Sequence, residues 1–223
     1  MRRETLANEE CYHIFSRSIA QYKIFNNEHD YLRVIDLIKF YRFSDLECSY
    51  SYFLSRSSII QKAIMAKHEK NSPVLVDIIA YSLMPTHIHL ILKQIADKGI
   101  SIFMSNLLNS YTRFFNIKHG RKGPLWEQRF QNKLIKNDYQ LLHVSRYLHL
   151  NATTAGLAEK PEEWKYSSYY EYIAPDTSND SFCKFRDLID LKPNQYKKFV
   201  KDQISYQKDL AKIKHLLIDN YSG

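Results

Sequence analysis

Two histidines, a tyrosine and an asparagine carry the chemistry this sequence can do. In Pro85-Thr-His-Ile-His-Leu90 the histidines are two apart, so on a strand both imidazoles lie on one face and Ile88 on the other. Two neutral imidazoles side by side are half of a metal site. With nine histidines in 223 residues, such a pair arises readily by chance, and alone it reads as a surface pair on an edge strand. A second group follows downstream, where Tyr147 and Asn151 are four apart in Ser145-Arg-Tyr-Leu-His-Leu-Asn151. On a helix these share a face, with about 6 Å of rise between them. An amide oxygen is a hard ligand, and a phenol, with a pKa of about 10, becomes a nucleophile once something lowers the cost of its oxyanion. Were that helix to lie against the histidine strand, His87, His89 and Asn151 would hold a divalent ion, with open positions for phosphate oxygens and Tyr147 one turn away. The plainer readings are a helix C-cap for Asn151 and a core aromatic for Tyr147. Tyr139, two turns earlier, is the second candidate nucleophile, and His143 and His149 read as packing or surface residues.

The elements that must position these groups follow from periodicity. Alternation from Cys11 to Ile19 predicts a strand. Asn26-Asn27 caps a helix carrying Tyr31, Leu32, Ile35, Leu37 and Ile38 to about Tyr41. A polar, Ser-rich interval spans Phe43 to Ser57, a short helix runs from Ser58 to Lys70, and Pro73 stops it. Val74 to Leu83 reads as a buried strand, Pro85-Thr86 as the turn, and His87 to Lys93 as the returning strand of a hairpin. A helix opens near Gly99 with Phe103, Leu107, Leu108, Tyr111, Phe114 and Phe115 on its apolar side, and ends in the basic turn Gly120-Arg-Lys-Gly-Pro124. Arg129 to Ile135 is a strand, and Asn137-Asp138 caps a helix from Tyr139 to Asn151. The order predicts an α+β chain of ferredoxin-like, split βαβ plan, an antiparallel sheet with helices on one side. Residues 1–173 form the expected domain. Residues 174–223 form an extension, with Asp176 to Ser181 as linker and Asn194 to Asp219 as a basic amphipathic helix.

Charge narrows the partners. Thirty-two Lys+Arg against 24 Asp+Glu leave +8 and a pI near 9.2, which favours a polyanion, nucleic acid before acidic lipid. Seventeen Tyr and 12 Phe can fill a core and still leave rings for bases. Arg113, Lys118, Arg121, Lys122 and Arg129 surround the basic turn and are candidates for phosphate neutralisation, against a plainer role as a solvated rim. The lysine-rich terminal helix suits either a clamp on DNA or packing on the domain. Cys11, Cys48 and Cys183 are widely spaced, which reads as reduced thiols rather than a disulfide framework or a zinc site. The polar start and the absence of a long apolar run predict a cytoplasmic protein with no membrane span.

At this point the chain resembles a family. Met84-Pro-Thr-His-Ile-His-Leu-Ile-Leu92 is similar to the His-hydrophobic-His motif of single-tyrosine transposases of the IS200/IS605 type, and especially of their REP-associated relatives. Tyr12-His-Ile-Phe-Ser-Arg17, Gly123-Pro-Leu-Trp-Glu-Gln-Arg-Phe130, Arg146-Tyr-Leu-His-Leu-Asn-Ala-Thr-Thr-Ala-Gly156 and Glu163-Trp-Lys-Tyr-Ser-Ser-Tyr169 resemble the family's other segments in the same order, so the likeness covers about residues 9–172. It implies His87, His89 and Asn151 as ligands of Mg2+ or Mn2+ and Tyr147 as nucleophile. The implied reaction cuts single-stranded DNA beside a hairpin through a 5′-phosphotyrosine and rejoins strands without ATP, with nucleoid association while DNA is bound. Relatives that trade tyrosine helices leave homodimer and monomer both open. Thr86 and Ala152 stand where the family commonly has Asn or Glu and Pro. A binding protein that grips structured DNA without cutting it is the alternative, and a metallohydrolase of small phosphoesters is the third reading.

Overall fold

The structure is a computed structural model and describes residues 5–175 and 182–207. Strand β1 (Cys11–Arg17) alternates half-buried and buried positions, with Tyr12 and Ile14 at 1% and 0% exposure. Helix α1 (Glu28–Tyr41) starts where the Asn27 side chain accepts from the Asp30 amide at 3.2 Å. Within the Ser-rich interval a short helix α2 (Tyr50–Leu54) forms, capped by Ser49. Its Tyr50 and Phe53 pack on Phe40 at ring-centroid distances of 5.2 and 5.0 Å, so an aromatic pair three apart outweighs the polar composition around it. Helix α3 (Ser58–Asn71) follows.

Strands β2 (Val76–Met84) and β3 (His87–Gln94) form the hairpin and are buried on both faces, which is why their sequence runs apolar without clean alternation. The Pro85 carbonyl accepts from the Ile24 and Phe25 amides at 2.8 and 3.2 Å, and the Thr86 carbonyl from Ser18 at 2.9 Å. The turn that presents the histidines is thereby tied to the chain leaving β1. Helix α4 (Gly99–Lys118), strand β4 (Gln131–Ile135) and helix α5 (Asp138–Thr154) complete the expected order. Sheet order is β2-β3-β1-β4, with every neighbouring pair antiparallel. The α+β, ferredoxin-like expectation holds. Tyr12, Ile14, Leu90 and Leu92 share one buried face, while His13, Phe15, Arg17, His87 and His89 share the other.

Gly99 sets the junction between β3 and α4. A Cβ there would fall inside contact distance of the Leu75 backbone carbonyl, and that carbonyl accepts from Ile95 and Ala96 at 3.1 and 3.2 Å, so it has no freedom to retreat. We expect Gly99→Ala to lower stability by about 2–3 kcal/mol through overpacking. Urea unfolding reads this as a reduced midpoint at unchanged slope; an unchanged midpoint would contradict the packing described.

Helix α6 (Tyr169–Ile173) and helix α7 (Pro193–Lys201) close the described chain. The linker expected at 176–181 lies outside the described residues. Beyond it Phe182 stacks on Tyr81 at 5.5 Å, Phe185 on Tyr172 at 3.7 Å, and the Lys184 amide donates to the Ile78 carbonyl at 2.8 Å. Tyr196 and Val200 of α7 are buried in the same core, so of the two roles open to this segment its described part packs on the domain. The helix expected from Asn194 to Asp219 instead turns at Asp202 and Gln203, and its part beyond 207 is outside the described residues. Cys11, Cys48 and Cys183 are free thiols. Among the described residues no helix is long and apolar enough to cross a membrane.

Candidate active site

β1 and β3 bring three imidazoles together. His87 pairs with Arg17 and His89 with Phe15 across the ladder, and the His87 and His89 ring centroids are 5.0 Å apart. His13, two residues along β1, reaches the same face, with its Nε2 2.9 Å from His89 Nδ1. The Thr86 hydroxyl lies 2.9 Å from His87 Nδ1. Each histidine of the pair thus has Nδ1 engaged; with a proton on that atom, Nε2 keeps its lone pair for a cation, as in metal sites whose second nitrogen is hydrogen-bonded. Burial, with Arg17 nearby, lowers the pKa of His87 to about 4. Burial, with His13, His87 and Arg17 nearby, takes His89 well below its ordinary value. Both are therefore neutral near pH 7, the form that ligates metals.

The Thr86 hydroxyl is placed to orient the His87 ring, as a carboxylate or amide could from the same position. We expect Thr86→Val, which keeps the shape and removes the hydroxyl, to weaken divalent-ion binding roughly 10- to 100-fold. Titration calorimetry with Mn2+ checks this, and unchanged affinity would remove Thr86 from the site.

Helix α5 supplies the tyrosine. It starts at Asn137, whose side chain accepts from the Gln140 amide at 2.8 Å, and it buries Leu141, Leu148, Leu150 and Ala152. This leaves Tyr147 over the histidine face, with its ring centroid 6.0 Å from His89 and 6.2 Å from His13, edge-on to both. Burial raises the phenol's pKa and the Arg17 guanidinium opposes that rise, so the resting side chain is a neutral phenol with a cation at hand. Tyr139 is 73% exposed and its ring lies tilted against His143 at 4.2 Å, whereas the ring contacts with His13 and His89 are made by Tyr147.

Asn151 is 8% exposed and its Nδ2 is buried with no partner, a desolvation cost of about 1–3 kcal/mol. Ser82, paired with His89 across β2, is likewise buried with an unpartnered hydroxyl. A half-turn of the Asn151 amide would exchange Nδ2 for Oδ1. Among the described residues no cluster of three His, Cys, Asp or Glu forms a metal site, so a third protein donor would have to come from an amide or hydroxyl. Two neutral imidazoles joined by an amide oxygen would suit a divalent ion.

The basic candidates divide. Lys118 pairs with the buried Asp30 at 2.5 Å, and Arg121 holds Asn116 and the Pro124 carbonyl at 3.2 and 3.0 Å; both are engaged in structure at the end of α4. Arg113, Lys122 and Arg129 are exposed. His149, as expected, is a packing residue, bonded by the Tyr196 and Ser168 hydroxyls at 2.8 Å each. Sequence reasoning passed over His13 and Arg17. Their signal was parity, since both share β1 alternation with Phe15, but assigning that face requires the strand order.

The fold and part of the sequence are similar to known proteins. Residues 48–151 match the model of the family described as Transposase IS200 like. Over those residues the chain is similar to that family. A Haemophilus influenzae protein assigned by its name to the REP-associated tyrosine transposases is 27% identical over 105 residues, 43% of this chain and 60% of that protein. The chain therefore matches about three fifths of that relative's length. A solved structure of a REP-associated tyrosine transposase bound to a REP hairpin superposes with a TM-score of 0.53 at 15% identity, covering 82% of this chain and 96% of that one.

Proposed function

We propose that this protein cleaves and rejoins single-stranded DNA beside a hairpin, with Tyr147 as nucleophile and His87, His89 and Asn151 as ligands of a divalent ion. The observation that carries the reading is the Tyr147 ring set 6.0 Å from His89, on the face where two neutral imidazoles keep Nε2 available. The family likeness and a neighbour solved with a REP hairpin support DNA of that kind as partner. Bound there, Mg2+ or Mn2+ supplies charge stabilisation at the scissile phosphate. Tyr147 Oη forms a bond to phosphorus as the bond to the 3′-oxygen breaks; the phenolic proton passes to water and the departing oxygen takes one up. The 5′-phosphotyrosine keeps the phosphoester energy, so attack by a 3′-hydroxyl reverses the step and joins strands. Arg17 lowers the cost of the phenolate that develops. Tyr147 and His89 meet within one chain, so we infer cleavage in cis by a monomer, in the cytoplasm on nucleoid DNA.

The test incubates the protein with hairpin oligonucleotides and Mn2+ or Mg2+ and maps any covalent product by mass spectrometry. An adduct on Tyr147 that requires the ion is expected. An adduct on another residue ends the assignment; hairpin binding without any adduct favours the binding-only reading, and turnover of small phosphoesters without Tyr147 favours the hydrolase.

A further inference from the structure

Helix α5 presents Tyr147 and Asn151 on one side and is gripped from the other. Ser145 and His149 are four apart on one face, and Tyr147, two residues from each, lies about 200° around the helix axis from both. Against that rear face stands Tyr196 of α7, whose hydroxyl is 2.8 Å from Ser145 Oγ and 2.8 Å from His149 Nδ1. The other ring nitrogen, His149 Nε2, is 2.8 Å from Ser168 Oγ, which also accepts from the Tyr81 amide at 2.9 Å. All four side chains are buried, and because each hydroxyl both donates and accepts, the chain of bonds leaves none of these atoms stranded. It ends on β2 beside the candidate active site, where Tyr81 pairs with Leu90, the neighbour of His89.

Apolar side chains would fill this space at a lower desolvation cost. Four polar groups add direction, since hydrogen bonds of fixed geometry define one rotation of α5 against the sheet. The front of the helix fixes that rotation less firmly, because Tyr147 is 43% exposed and meets His13 and His89 edge-on. Helix α7 is itself anchored, with Lys197 and Lys201 on Glu162 at 3.4 and 3.0 Å and Arg146 of α5 over the Phe199 ring at 4.2 Å. Resting on the cleavage reading above, we infer that Tyr196 is a positioning residue for Tyr147: its hydroxyl sets the rotation of α5 and so the aim of the phenol at a phosphate on the histidine face. A displacement of about 1 Å at a reacting group costs on the order of 10^2-fold in rate.

Tyr196→Phe keeps the ring and removes the bridge. Single-turnover cleavage of a hairpin oligonucleotide in Mn2+, at saturating DNA, is expected to slow roughly 10- to 100-fold, while hairpin affinity stays near wild type. Val200→Ala is the control. Val200 is buried on the same helix but outside the chain of bonds, so this variant should melt at a lower temperature and cleave at the wild-type rate. Should Tyr196→Phe fail to fold, Ser145→Ala removes one end of the bridge and should slow the same step by a smaller factor. An unchanged rate in the folded variant, equal slowing in Val200→Ala, or a loss of rate matched by a loss of affinity overturns the inference. If wild type cuts nothing, the cleavage reading fails, and hydrogen exchange decides whether Tyr196 orders α5. Amides from Tyr147 to Asn151 should then exchange faster in Tyr196→Phe and not in Val200→Ala; equal exchange in both overturns the role.

Discussion

Tyr147→Phe is expected to leave no covalent protein–DNA product and to lower strand cleavage by more than about 10^3-fold, the scale of a removed covalent nucleophile. The substitution is clean because the ring does the packing. Its edge contacts with His13 and His89 survive in Phe, and no hydrogen bond of the Tyr147 hydroxyl is recorded among the described residues. Thermal stability and hairpin affinity should therefore stay near wild type, which separates lost chemistry from lost folding. A denaturing gel of labelled hairpin DNA reads the adduct. Its persistence in Tyr147→Phe would transfer the nucleophile elsewhere, and Tyr139, exposed beside His143, would have to explain how it reaches a phosphate held at the imidazoles.

How far the sequence speaks for itself depends on the range of the interaction. The α1 start at Asn27, the Pro85-Thr86 turn and the Asn137 cap are local, and each lies where its side-chain chemistry puts it. The split βαβ plan followed from the succession of elements, while the strand order β2-β3-β1-β4 and its register come from the structure. The α2 helix was hidden because Tyr50 and Phe53 gain burial against α1, where Phe40 meets both rings and Arg33 lies over Tyr50. At the site, His87 and His89 are legible through spacing alone. His13 and Arg17 are not, because their importance comes from a register that pairs Arg17 with His87 and Phe15 with His89. Lys118 looked like a phosphate ligand until Asp30, 88 positions away in sequence, took up its charge. The helix expected from Asn194 to Asp219 is interrupted at Asp202 and Gln203, a turn that helical periodicity does not mark, and its part beyond 207 lies outside the described residues.

His89→Ala should cut metal-dependent cleavage by at least about 10^2-fold, the range of a lost transition-state charge contact. It should also cost about 2–4 kcal/mol of stability, because a buried ring leaves a cavity. The second effect arises from position: His89 is 6% exposed, and its loss strands the His13 Nε2 that lies 2.9 Å from it. His87 is only half-buried, so His87→Ala should lose comparable cleavage with a smaller stability cost. The pair therefore separates ligation from packing. Thermal melts with and without Mn2+ make the distinction quantitative, since an ion that binds only the folded state raises Tm by mass action. Wild type should show that rise and both alanine variants should lose it. If His87→Ala keeps the Mn2+-dependent rise, His87 is not a ligand, and a site resting on His89 and Asn151 alone would be too sparse to fix a phosphate for Tyr147.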